Sequence, residues 1–315
     1  MNAWPIALEA LQVAALAVVA PLFAGWVKML KCWSQGRTSP GLLQPARDLR
    51  KLFAKEVLLA ENASWIFRFA PYLVFGVALL TAGVVPILSV DLPLAPTADV
   101  IVIVALFAIA RFFTALAGLD VGTAFGGMGA SREMTIASLA EPAMLMAVFT
   151  ISLGSQTTSL AQMVRSVQGG QHLLLRPSFA FAVLAFVLIA LAETGRIPVD
   201  NPATHLELTM VHEAMVLEYS GRHLALIEWA GMMKLALFAW LGVAAFFPWG
   251  IAATRDLRAL GLAFAAMLLK LAGIGVGIVL IETGLAKMRI FRLTEFLGAA
   301  FLMATLGMLS FFILE

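Results

Sequence analysis

Residues 178–202 read SFAFAVLAFVLIALAETGRIPVDNP. From Ser178 to Ala192 no side chain is charged, and apolar residues fill both alternating parities. Such a run is not a half-buried strand, whose polar and apolar residues alternate. It reads as a helix with hydrocarbon or protein on every side. Glu193, Arg196 and Asp200 follow at once, among Gly195, Pro198 and Pro202, which end the helix. The same stretch continues to Arg222 and adds Glu207, Glu213, Glu218, His205 and His212. This much charge is unusual in a chain that is 62% hydrophobic and 13% charged.

Moving outward, several apolar runs in the 315 residues reach the roughly 20 needed to cross about 30 Å of hydrocarbon. Mean hydropathy is +0.96. The composition predicts an all-α membrane protein, because a helix satisfies its own backbone polar groups in lipid. A transmembrane barrel would need alternating polarity in runs of about ten. Eight spans are expected, near 5–29, 68–90, 99–118, 134–154, 178–193, 223–249, 259–283 and 292–313. No internal repeat divides the chain, so residues 1–315 read as one membrane domain. The net charge of +2 gives no reason to expect nucleic acid as a partner. The single cysteine, Cys32, cannot form an internal disulfide or a cysteine-ligated cluster. No metal or cofactor is expected on this chain. The N-terminal run carries Glu9 and no basic residue ahead of it, unlike a cleaved signal peptide.

Basic residues predict the orientation. Fourteen of the 21 Lys and Arg fall in or beside loops 29–68, 119–133, 194–222 and 284–292, and four fall on the opposite side. The large loops are therefore expected in the cytoplasm and both termini outside, in the cytoplasmic (inner) membrane. In the first loop, PARDLRKLFAKEVLL places Leu49, Leu52, Phe53 and Val57 at helical spacing, opposite Arg47, Arg50, Lys51 and Lys55. That pattern predicts an amphipathic surface helix over about 44–58. It either floats on headgroups or roofs a cavity and touches a partner.

Ionisable groups within spans are functional candidates, because each is costly unless it faces protein or water. Arg111, Asp120, Glu141, Glu193, Lys234, Lys270 and Glu282 qualify. The plain alternative is a set of ion pairs that fixes helix packing, but buried pairs barely repay their desolvation. A relay of carboxylates, amines and water would make that cost useful. Helix is plausible from Ala203 to Tyr219, where Glu207 and Glu218 are spaced to share a face. His205 and His212 lack the spacing of a helical metal pair. The acidic loop, about 193–222, is expected to wall a polar cavity facing the cytoplasm. Transporter, channel and proton-coupled redox anchor all fit these observations.

Three blocks add a resemblance. ETGRIPVDNPATHLEL is similar to the ETNRAPFDLPEAESEL signature of subunit 1 of respiratory NADH:quinone oxidoreductase. SPGLLQPARDLRKLFAKE, residues 39–56, resembles that subunit's GPxGLLQPxADxxKLxxKE. GLDVGTAFGGMGASREMTIASLAEP, residues 118–142, resembles a block of the membrane-anchor subunit of formate hydrogenlyase-type nickel–iron hydrogenases, and LEYSGR, residues 217–222, fits both groups. The likeness runs end to end.

It implies a membrane anchor that docks a peripheral arm and couples its redox chemistry to proton or ion movement. Expected partners are peripheral hydrogenase and iron–sulfur subunits, antiporter-like membrane subunits and the lipid bilayer. Iron–sulfur clusters and a nickel–iron site would sit on other chains, and the resemblance leaves room for a quinone. The alternative is a quinone-chamber subunit of a NADH-dehydrogenase-like complex, and a third reading is a stand-alone transporter.

Carried over residue by residue, Gly41, Gln44, Asp48, Lys51, Lys55, Glu56, Arg132 and Glu133 belong to docking or to a quinone-like cavity. Glu141, Glu193, Arg196, Asp200, Glu207 and Glu218 belong to the coupling path, joined by the intramembrane Lys234, Lys270 and Glu282. Arg196 and Arg132 are expected to hold neighbouring acids ionised. The chain departs from the pattern at Ala203 and His205, where relatives carry acids, and is slightly longer near His212 and Glu213. His205 is either a substitute relay or a neutral hydrogen-bonding residue.

Overall fold

The computed structural model of the chain describes residues 4–90, 92–169, 176–200, 210–252, 257–286, 288 and 290–314. Eight helices form the bundle: α1 (Trp4–Ser34), α3 (Trp65–Val84), α4 (Val100–Asp120), α5 (Ala124–Ser155), α7 (Pro177–Glu193), α9 (Gly221–Phe246), α10 (Leu257–Gly284) and α11 (Ile290–Leu314). Three short helices connect them: α2 (Gln44–Phe53), α6 (Leu160–Gly169) and α8 (His212–Val216). No strand occurs among the described residues, so the all-α reading holds. Among the described residues, seven helices are long and apolar enough to cross a membrane. The eighth, α7, has 17 residues and is about 25 Å long.

Neighbours in the bundle include helices both consecutive and distant in sequence. α11 packs on α5 and α7, α3 on α4 and α9, and α1 on α9 and α10. Aromatic rings fill the centre, with Phe107 stacked on Phe238 at 4.7 Å and Phe179 edge-on to Phe246. α10 and α11 turn Leu262, Leu269, Leu302 and Phe312 outward, as lipid-facing helices do.

Four expectations need correction. The second span ends at Val84 rather than near residue 90. Pro86 lacks an N–H and drives Val85 out of helical geometry. Residues 85–90 then run as buried non-helical backbone, which lipid would not tolerate unless protein satisfied it. Gln12, fully buried in α1, supplies that partner. Its Nε2 donates to the carbonyls of Ala82 and Val85, and its Oε1 accepts from the amides of Ile87 and Leu88. Every strong position of one amide is thereby used. Trp240 Nε1 donates to Pro86 O, and Leu88 and Val90 exchange backbone hydrogen bonds with Ala252.

The fourth span starts at Ala124, ten residues before the expected boundary near 134. Thr123 caps it by accepting from Gly126 N. The amphipathic helix stops at Phe53 rather than near 58, because residues 54–58 leave it to meet the start of α9. Ser220 Oγ accepts from Leu58 N at 2.7 Å and donates to Leu58 O. Gly221, with φ +53°, lies where a Cβ would be 2.6 Å from Glu56 O. Tyr219 stacks on Phe67 with centroids 3.9 Å apart and donates to Phe67 O. Burial, with the Asp120 carboxylate nearby, pushes the Tyr219 phenol up. Each residue of the Tyr219-Ser220-Gly221 element thus seats the surface segment or α3. Finally, the helix expected over 203–219 is reduced, among described residues, to α8, and 203–209 lie outside the described residues.

Gln12→Leu leaves two carbonyls and two amides buried without partners. A loss of at least about 3 kcal/mol is expected, read as a lower thermal midpoint in detergent or failure to accumulate. Gly221→Ala meets both the left-handed φ and the Glu56 carbonyl. It is expected to cost about 1–2 kcal/mol and to free segment 54–58, seen as faster proteolysis there.

Candidate functional site

α7 is the short member of the bundle, and its C-terminus sets the depth of the site. Its neighbours α5 and α9 have 32 and 26 residues. Glu193 at the end of α7 therefore meets Arg111 about 13 Å inside the last residue of α4, and Lys234 about 20 Å inside the first residue of α9. The helix stops there in a Schellman motif. Gly195 has φ +59°, Arg196 N donates to Leu191 O, and Gly195 N donates to Ala192 O. Thr194 Oγ1 donates to Ala190 O. Met288 N donates to Pro198 O, which pins the buried loop that follows against the turn before α11.

Arg111 is the centre of the first cluster. Its guanidinium pairs with Glu193, with Glu141 at 3.1 Å and with Glu133 at 3.4 Å. Glu193 is shared with Lys234, whose Nζ lies 3.1 Å from Oε2 and 5.9 Å from the Phe238 ring centroid. The side chains of Arg111 and Glu193 are only 4% and 3% exposed, so neither has water to replace a lost partner. Glu141 is 36% exposed and forms the open end of the cluster. Breaking such a buried pair by removing one member typically costs about 3–5 kcal/mol.

The second cluster begins one turn further along the chain. Glu282 of α10, with its side chain 1% exposed, accepts from Lys31 of α1 at 2.7 Å and from Arg196 at 3.0 Å. Among the described residues the clusters together hold four carboxylates and four cations on six helices and the loop after α7. Only Thr194 and Gly195 separate them in sequence.

A third set positions the returning chain. Arg132 Nη1 donates to Met210 O at 3.0 Å, and Asp200 Oδ2 accepts from Val211 N. α8 then crosses α5 and α4 at glycines. A Cβ on Gly129 would stand 2.9 Å from Ala214 Cβ, and one on Gly118 would stand 3.1 Å from Met215 Cβ. This is the physical reason for Gly118 and Gly129 in GLDVGTAFGGMG.

The structure brings together Glu133, Glu141, Glu193 and Lys234, and separately Arg196 and Glu282. Glu133, assigned from sequence to docking, instead faces Arg111. Lys270 lies apart, donating to the carbonyls of Phe247 and Trp249 at the end of α9. Glu218 is exposed in the turn before α9. Glu207 and His205 lie outside the described residues. Gly41, Gln44, Asp48, Lys51, Lys55 and Glu56 follow the surface segment, with Gln44 bonded to Asp48 within α2. Arg196 and Arg132 do not serve the acids of the first cluster. That role falls to Arg111, an arginine in an apolar run, and Lys31 was countable only as a loop charge. Among the described residues, no three His, Cys, Asp or Glu converge as metal ligands would.

Known proteins resemble the chain over nearly its whole length. A family profile described as NADH dehydrogenase matches residues 7–313. Formate hydrogenlyase subunit 4 of Escherichia coli (strain K12) is 32% identical over 302 residues, covering 95% of this chain and 96% of that protein. Hydrogenase-4 component C of the same organism is 32% identical, covering 94% and 92%. An NADH-quinone oxidoreductase subunit of Syntrophobacter fumaroxidans is 33% identical over 62% of this chain and 61% of its own length. The fold matches a chain of the membrane-bound sulfane sulfur reductase, an archaeal respiratory membrane complex. The TM-score is 0.83 over 97% of this chain and 99% of that one, at 18% identity. The chain belongs to the NADH dehydrogenase family and is homologous to the formate hydrogenlyase and hydrogenase-4 subunits.

Proposed function

We propose that the chain is the membrane anchor and proton-coupling subunit of a multisubunit nickel–iron hydrogenase or formate hydrogenlyase-like complex. The observation that carries this reading is the buried network around Arg111 and Glu193. It lies well inside the bundle, where α7 stops short of its neighbours. A charged network at that depth is an expensive way to hold helices together. It is a useful way to make one group's charge state felt by others. A proton reaching Glu193 removes the counter-charge of Lys234, while Arg111 retains Glu133 and Glu141. The change is thus relayed toward the open end at Glu141 and toward α9 at once.

The excess of basic residues supports a cytoplasmic position for the end carrying α2, α8 and the loop after α7. Both termini then face outward across the inner membrane. The exposed face of α2 and the turn at Glu218 would receive the peripheral hydrogenase and iron–sulfur subunits. Antiporter-like membrane subunits would lie against the bundle. Iron–sulfur clusters and the nickel–iron site belong to those partners. The near full-length likeness to two hydrogenase-type relatives, against about three-fifths of the chain for the NADH-quinone oxidoreductase relative, supports this branch over a quinone-chamber subunit.

Glu193→Gln keeps shape and hydrogen bonding but removes the charge. The complex is expected to assemble, with proton movement per turnover slowed about tenfold or more. Wild-type proton movement in inverted vesicles would refute the relay role. Purified through this chain, the complex is expected to contain nickel and iron–sulfur subunits, whereas NADH-binding subunits in their place would support the quinone reading.

A further inference from the structure

One group of charges belongs neither to the buried clusters nor to the surface helix. α3 and α9 begin side by side; Arg68 closes the first turn of α3, Tyr72 lies one turn further in, and Arg222 and His223 are in the first turn of α9. Arg68 and Tyr72 are four residues apart and share one face of α3. The Tyr72 ring is edge-on to His223 with centroids 5.5 Å apart. His223 is 4% exposed, and its Nδ1 has no hydrogen-bond partner. Arg68 and Arg222 are exposed, lie within electrostatic reach of that imidazole, and pair with no carboxylate among the described residues. Asp120, the acid at the nearby end of α4, is committed to Ser64 N at 2.8 Å.

Two arginines unpaired among the described residues, the N-terminus of α9, which has no side-chain cap, and a buried imidazole nitrogen without a partner make a site with a strong preference for an anion. Its level in the membrane is marked by neighbouring aromatics. Trp65 is 67% exposed, and Phe69 and Tyr72 are nearly half exposed. Exposed Trp and Tyr collect at the headgroup layer. The anion abundant at that level is phosphate carried on lipid.

We propose that the first turns of α3 and α9 bind the phosphate of an anionic phospholipid. Arg68 and Arg222 hold its oxygens, and His223 donates from Nδ1 behind them. The acyl chains would run down the outer surface past Tyr72. The site is independent of the Arg111 network and of the hydrogenase reading.

The test compares the full chain with Arg68→Gln/Arg222→Gln after delipidation in mild detergent and exposure to phosphatidylcholine vesicles containing phosphatidylglycerol. Wild type is expected to retain phosphatidylglycerol over phosphatidylcholine after repurification, and the double variant to retain roughly tenfold less. Arg68→Lys/Arg222→Lys, which keeps the charge, is expected to retain most of it. This variant keeps the test valid should the glutamine pair fold poorly. Equal phosphatidylglycerol retention in wild type and the glutamine variant overturns the proposal. So does equal thermal stabilisation by inorganic phosphate alone, which would mark a soluble-anion site. A glutamine variant that keeps its lipid but loses a copurifying subunit also overturns it, because the arginines would then serve an acidic partner protein.

Discussion

The ion pair between Arg111 and Glu193 is the constraint around which the rest is arranged. Both side chains are almost fully shielded from water, so each depends on its partners, Glu133, Glu141 and Glu193 for Arg111 and Arg111 and Lys234 for Glu193. That requirement fixes where α7 ends relative to α4, α5 and α9. The depth of the α7 terminus in turn decides that the loop after it begins inside the protein rather than on its surface. The Schellman turn at Gly195, the buried Ile197 to Asp200 segment and the second cluster at Glu282 follow from that placement. Arg196, at the start of that loop, reaches Glu282 near the end of α10, where Lys31 of α1 also meets it.

The opposite end of the bundle solves a different problem with the same physics. There the difficulty is unpaired backbone rather than charge. Pro86 breaks α3 early, and the freed amides and carbonyls of residues 82–88 would be intolerable in hydrocarbon. Gln12 answers them with one uncharged side chain, and the contact with Ala252 completes the accounting. Ionisable residues are gathered at one end, where they pair with one another, and an uncharged amide at the other, where backbone groups need partners. Lys270 of α10 follows the second logic by donating to carbonyls at the end of α9.

Much of the site is legible in the sequence as isolated facts. Glu193, Lys234 and Glu282 announce themselves as charges in apolar runs. Gly195 and Pro198 announce the end of α7. Other features escape such a reading for identifiable reasons. The eleven-residue spacing of Glu207 and Glu218 has meaning only if one helix joins them, and the described helix there spans only His212 to Val216. Gln12 resembles a tolerated polar residue in a long helix, because its partners lie some seventy positions away. The early end of α2 could not be read from its own pattern, since Ser220 and Gly221 draw residues 54–58 away.

The sequence by itself determined that this protein is a helical membrane bundle with one unusually charged segment and a basic surface helix. Hydropathy, helical spacing and helix breakers act over one or two turns, and they are written in consecutive residues. Only the tertiary structure decided which charges meet. The helices that carry paired charges, α4 with α7 and α1 with α10, are not consecutive in the chain. Pairing energy depends on distances of a few ångströms between side chains whose separation along the sequence carries no information about it.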